Sequence, residues 1–189
     1  MKIQLQSLVI LTLLLVNCTV SFGQNTMNSP KGYDHDIGTM VSMLENLRTR
    51  IIYSTTDLNQ EQTDFLLDDK ANRIGAMIMH LAATEVYYQA FTFEKRSFNE
   101  EEKAKWETAL NLGDEARAEY VGKPIQYYLD TWAQVRQKTL EMLKDKDDEW
   151  FAKLAKGGQA DNHWAWFHVM EHQANHMGQI NMLRSRLPE

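Results

Sequence analysis

The sequence predicts an all-α protein built as a four-helix bundle. Three observations point there. Apolar residues recur at helical spacing in four long stretches. Breakers are few, with 9 glycines and 3 prolines in 189 residues, while Leu, Met, Ala, Glu, Lys and Gln are plentiful. No stretch reads convincingly as a strand. The hydrophobic fraction of 43% and the charged fraction of 24% are those of an ordinary globular protein. The length suits one domain, able to bury a core without a disulfide.

The chain opens with Lys2 and an apolar run over 8–16, followed by small residues that include Ser21 and Gly23. This predicts a secretory signal peptide over 1–23, a mature chain beginning at Gln24, and an exported protein, periplasmic or secreted. The run falls well short of the ~20 apolar residues of a membrane span. No stable membrane insertion is therefore expected after cleavage. Cys18 is the sole cysteine. Asn17 before it fits a lipoprotein signal poorly, so a lipid anchor at Cys18 is the minor alternative. A chain starting at Gln24 has no cysteine, hence no disulfide and no thiolate ligand.

Residues 24–32 read as a flexible start, and 33–189 as the domain. The first helix is expected over 34–54, where Ile37, Met40, Val41, Leu44, Leu47 and Ile51 form a stripe. Residues 58–69 are mixed. The second helix is expected over 74–93, with Met77, Ile78, Leu81 and Val86 around His80. Residues 97–106 alternate in charge and read as a solvated connection with some helix. Gly113 and the Gly122-Lys123-Pro124 run mark loops. The third helix is expected over 125–143, on a stripe of Tyr128, Leu129, Trp132, Val135, Leu140 and Leu143. Trp150, Phe151 and Leu154 form a short apolar arm, and Gly157-Gly158 breaks the chain. The fourth helix is expected over 163–187, closed by Pro188. A net charge of -6 gives nucleic-acid binding no electrostatic support.

Four of the six histidines fall between His163 and His176. On a helix, residues four apart lie about 40° apart around the axis and about 6 Å along it. His168, His172 and His176 thus form one stripe with two ligand-like steps. The outer two are separated by about 12 Å of rise, so all three do not easily share one ion. One pair must act, joined by a ligand from another helix. His80, an imidazole on an otherwise apolar helix, is the natural third ligand. Three neutral imidazoles leave an open coordination position, the pattern of catalytic sites. Gln173 stands where a metalloprotease carries its Glu base, which argues against that type of peptide hydrolysis.

Two segments carry a family resemblance. His172-Gln-Ala-Asn-His176-Met-Gly-Gln-Ile180 resembles the closing helix of the DinB/YfiT-like family, where a His-x-x-x-His pair runs into Arg-Gly-Gln-Ile. The stretch from Ile74 through His80-Leu81 to Glu85 resembles that family's second helix. The resemblance spans about 33–187. It implies a DinB/YfiT-like four-helix bundle, a metal triad of His80, His172 and His176, a divalent ion such as zinc or nickel, and often a homodimer. It leaves His168 as a neighbour of the site. Gly178 and Gln179 match the family pattern and read as close helix contact and local hydrogen bonding. Met177 replaces the usual Arg. Characterised members include transferases and isomerases that use low-molecular-weight thiols.

Together these readings predict an exported, metal-dependent hydrolase or transferase acting on a small molecule. The alternative is a non-catalytic metal- or ligand-binding bundle of the cell envelope. Around the triad, His168, Tyr87, Glu85 and Trp164 are the candidates for pocket wall or ligand support. Glu85 lies about 140° from His80 around the helix and is expected to support a ligand or face solvent rather than act as a base. Glu171 is expected at the surface, and ordinary core packing is the favoured role for Tyr87.

Overall fold

The computed structural model describes residues 26–188. The expected signal peptide and Cys18 lie outside the described residues. Eight helices follow in order: α1 (His35–Thr55), α2 (Gln60–Thr63), α3 (Ile74–Phe93), α4 (Glu100–Asn111), α5 (Gly113–Glu119), α6 (Ile125–Lys144), α7 (Asp148–Phe151) and α8 (Asn162–Arg184). The described residues contain no strand, only an isolated bridge between Leu154 and Asp161. None of the described helices is long and apolar enough to cross a membrane.

The four long helices form the bundle, with α3 against α6 and α8, and α1 against α8 and α6. α1 and α6 present apolar stripes to the interior and, Arg136 of α6 apart, charge to solvent, as their spacing requires. α3 differs, because 17 of its 20 residues are buried. A helix with so little exposed surface needs cover on every side. The extra cover is α4, which lies along α3 and buries Trp106 and Ala109. Residues 97–106 are therefore not a plain solvated connection. The helix expected within them is α4, which runs on to Asn111 and contributes two core positions, Trp106 and Ala109.

The helix ends are capped locally. Asn59 with Gln62, and Asn99 with Glu102, form reciprocal capping boxes at α2 and α4. Asp161 caps α8 by accepting from the Trp164 backbone N–H at 2.7 Å. α1 and α7 cap each other across the fold. The Asp148 carboxylate accepts from the Asp36 and Ile37 N–H groups, and Asp34 accepts from the Asp148 N–H. α8 ends at Arg184, three residues before the expected limit of 187. A turn precedes Pro188, which disfavours helix in the residue before it.

At the bundle centre one guanidinium meets side chains of all three other long helices. Arg136 of α6 donates through Nε and Nη2 to Glu85 of α3, at 2.8 and 3.0 Å. Its Nη1 donates to Glu45 of α1 at 2.8 Å, and its Nη2 to Gln173 of α8 at 3.1 Å. Arg136 and Glu85 are each almost wholly buried. A buried ion pair of this kind gains little over an apolar replacement, but breaking one half leaves a bare charge inside. Arg136→Met is therefore expected to cost about 3–5 kcal/mol in urea unfolding. Adding Glu85→Leu to it should restore much of that loss, and a double variant as unstable as the two single effects combined would contradict the pairing.

On α3, Gly75 has no side chain because Tyr128 of α6 occupies the space. An added Cβ would lie 2.5 Å from the ring. Gly75→Ala is expected to lower stability by about 1–3 kcal/mol, despite its better helix propensity, as seen by the urea midpoint.

Candidate metal centre

α3 supplies His80 and α8 supplies His172 and His176. Contact between the two helices brings the three rings together. The His80 centroid lies 4.8 Å from those of both His172 and His176, which are 4.5 Å from each other. His80 Nε2 is 2.7 Å from His172 Nε2, and one ligand atom of each residue lies within 4.8 Å of the others. A tetrahedral site with metal–nitrogen bonds of ~2.0–2.1 Å separates its ligand nitrogens by about 3.3 Å. The His80–His172 spacing is shorter than that value, and the others are at most 4.8 Å.

The outer nitrogens show which lone pairs point inward. His80 Nδ1 lies 2.9 Å from the Ala109 carbonyl oxygen of α4. A carbonyl only accepts, so Nδ1 carries the proton and Nε2 is bare. His176 Nδ1 donates to Gln179 Oε1 at 2.8 Å, which again leaves Nε2 bare. Such outer hydrogen bonds orient metal-binding imidazoles and fix their tautomer. Burial, and then the neighbouring imidazoles, hold the His172 pKa down at about 3. Burial and then His80 hold that of His176 at about 4. Burial also lowers His80, against the opposing pull of the Ala109 and Leu110 carbonyls. All three are thus neutral at pH 7, as ligands must be. The donor set fits one divalent ion.

Two depressions flank the cluster along α8. One, of about 320 Å³, is bounded by Gln179 and Met77 together with Asp68 and Asn72. The other, of about 880 Å³, lies at the start of α8 and is walled by Trp164, Phe91 and Leu154.

A model of the mycothiol-S-transferase family matches residues 39–188. The chain belongs to that family. The mycothiol-S-transferase family is part of the DinB/YfiT-like superfamily, in keeping with the helical bundle and the three-histidine cluster. A search of curated proteins gives no match to the chain.

Within this family member the other expected site residues have different surroundings. His168 sits one turn before His172, with ring centroids 5.7 Å apart, and its Nδ1 lies 3.5 Å from the exposed Glu171 carboxylate. Trp164 is half exposed and stacks on His168 at 5.4 Å with the planes 6° apart. Tyr87 packs among Tyr88, Phe91 and Phe98, as a core residue would. Glu85 is neither at the surface nor hydrogen-bonded to a ligand. It lines a narrow crevice with His172, but Arg136 and the Trp132 indole take both its oxygens. Gly178 faces open space, with nothing within 4 Å of an added Cβ, so close helix contact does not explain it. Gln179 does make the expected local hydrogen bond. Gln173 spans the core, donating to the Leu44 carbonyl and accepting from Arg136.

Two groups beside the cluster were not foreseen from the sequence. The Ala109 carbonyl is a backbone group on a helix not foreseen as core, so no residue type announces it. Thr84, one turn after His80, has a buried hydroxyl without a partner and lines the same narrow crevice as His172. Its i, i+4 spacing from His80 was the available signal.

The depressed pKa values have a signed consequence for the metal-free protein. The unfolded imidazole titrates near 6.5, above each folded value. Below pH 6.5 the unfolded chain binds more protons, so stability is full above that pH and is lost as the pH falls toward 4. The urea midpoint of metal-free protein should fall over this window, and less steeply in His172→Asn. Equal slopes in the two proteins would contradict the assignment. For the orienting bond, Gln179→Ala is expected to weaken divalent-metal affinity by about 10–100-fold in competition titrations, with the fold retained by circular dichroism.

Proposed function

We propose that the protein is a metal-dependent transferase that joins the sulfur of a low-molecular-weight thiol to a small electrophile. His80, His172 and His176 would hold the ion. The observation that carries this reading is the convergence of three neutral imidazoles, two with their outer nitrogens already engaged. Membership of a family described as mycothiol-S-transferase supports the choice of a thiol as nucleophile. When bound, a divalent ion in such a site supplies Lewis acidity and lowers the pKa of a coordinated thiol or water.

The chain's own residues would do the rest. Ala109 and Gln179 hold His80 and His176 in the ligating tautomer. The apolar surroundings of α3 limit water around the cluster and keep its electrostatics strong. No carboxylate hydrogen-bonds to the triad among the described residues, which suits a nucleophile ionised by the metal rather than by a dedicated base.

A second reading follows from the N-terminus. The apolar run over 8–16, with Ser21 and Gly23 behind it, supports export. Outside the cytoplasm low-molecular-weight thiols are scarcer, and water then becomes the nucleophile of a hydrolase. Two measurements separate the readings. Tag-free protein, analysed for metal and assayed with cysteine and an activated aryl chloride, should release chloride in a metal-dependent way that falls to background in His176→Ala. Ester cleavage without thiol, lost in the same variant, would instead identify the hydrolase. Neither activity in metal-loaded protein would remove the catalytic reading. Mass spectrometry of the protein expressed in its full length tests export, with a mature chain starting at Gln24 expected and an intact Met1 contradicting it.

A further inference from the structure

The 880 Å³ groove at the start of α8 has the size of a small-molecule site and a lining with a definite chemical bias. One wall is the indole of Trp164, half exposed and lying parallel on His168. Phe91 of α3 and the exposed Leu154 add apolar surface. The floor is a short turn. Leu154 and Asp161 form a bridge, Ala155 N donates to Ala160 O at 2.8 Å, and Gly157 and Gly158 take positive φ between them. A large, half-exposed aromatic beside apolar neighbours favours a flat apolar ligand.

The charge at the groove favours an anion. Lys156 lines it, donates through Nζ to Ser97 Oγ at 2.6 Å, and makes no ion pair among the described residues. Asp161 is the opposing charge, but its carboxylate is engaged at the α8 N-terminus, where the helix dipole offsets it. From the groove, ring-to-ring steps of 5.4 Å (Trp164 to His168) and 5.7 Å (His168 to His172) lead along α8 to the triad.

We propose that this groove seats a planar aromatic carboxylate, stacked on Trp164 with its acid group at Lys156, and that the His168 stack directs it toward His172. The seat itself stands on the groove's lining, while its service as the electrophile's subsite rests on the transferase reading above. Specificity for the electrophile then lies at the start of α8 rather than at the metal ligands.

Calorimetry with naphthalene-2-carboxylate tests this on full-length, tag-free protein, both metal-loaded and metal-stripped. Saturable one-to-one binding is expected in both forms. Trp164→Ala should weaken it about tenfold. Lys156→Gln should weaken the carboxylate several-fold but leave naphthalene-2-methanol unchanged. In metal-stripped protein the imidazole proton signals of His168 and His172 should shift on binding, with those of exposed His35 as the control. No saturable binding, an unaltered affinity in Trp164→Ala, or equal losses for acid and alcohol in Lys156→Gln would overturn the seat. A shift at neither His168 nor His172 would overturn the path to the triad. Binding that persists in protein with no metal-dependent chemistry would leave the seat in place and remove only the transferase reading, so the two fail separately.

Discussion

Arg136 ties the bundle together at one point. Its guanidinium reaches Glu85, Glu45 and Gln173, one from each of the other three long helices. Apolar packing alone tolerates small sliding of one helix along another. A fork of donors that must meet three fixed acceptors does not. Gln173 is the immediate chain neighbour of His172, and Glu85 lies five residues beyond His80. The network that fixes α8 against α3 therefore also fixes the distance between the two halves of the histidine cluster.

That register is what lets three imidazoles share a space closed to most water. An isolated buried histidine could keep any tautomer that found a partner. Here two outer nitrogens are committed, one to a backbone carbonyl of α4 and one to a side chain a turn away on α8. His80 Nε2, left bare, accepts from His172 Nε2 at 2.7 Å when no cation is present, and a cation among the rings would take the place of that proton. The same crowding keeps the rings neutral. Cover by α4, the Arg136 network and the ligand tautomers are in this sense one arrangement.

Much of this was legible in the sequence. α3 runs over the residues expected for the second helix, and α1 and α6 end within a residue of expectation, because their apolar spacing is unambiguous. The i, i+4 histidines marked the face of α8, and the family resemblance picked the pair that the structure brings beside His80. What stayed hidden has physical reasons. α4 reads as solvent-facing because its charged residues outnumber the two, Trp106 and Ala109, that it buries. Glu85 was placed by helical angle relative to His80, and angle alone does not show that an arginine on another helix will meet it. Gly178 resembled a contact glycine only by motif. A carbonyl such as that of Ala109 has no signature in any alphabet of side chains.

The central claim is that His80, His172 and His176 are the ligands of one divalent ion. X-ray absorption at the metal edge of tag-free protein loaded with one equivalent of zinc tests it most directly. Three imidazole nitrogens at about 2.0–2.1 Å, with their outer-ring scattering, and one further oxygen or nitrogen donor without it are predicted. In His80→Ala the imidazole count should fall to two. A shell of oxygens without imidazole scattering, or a spectrum unchanged by His80→Ala, would contradict the account.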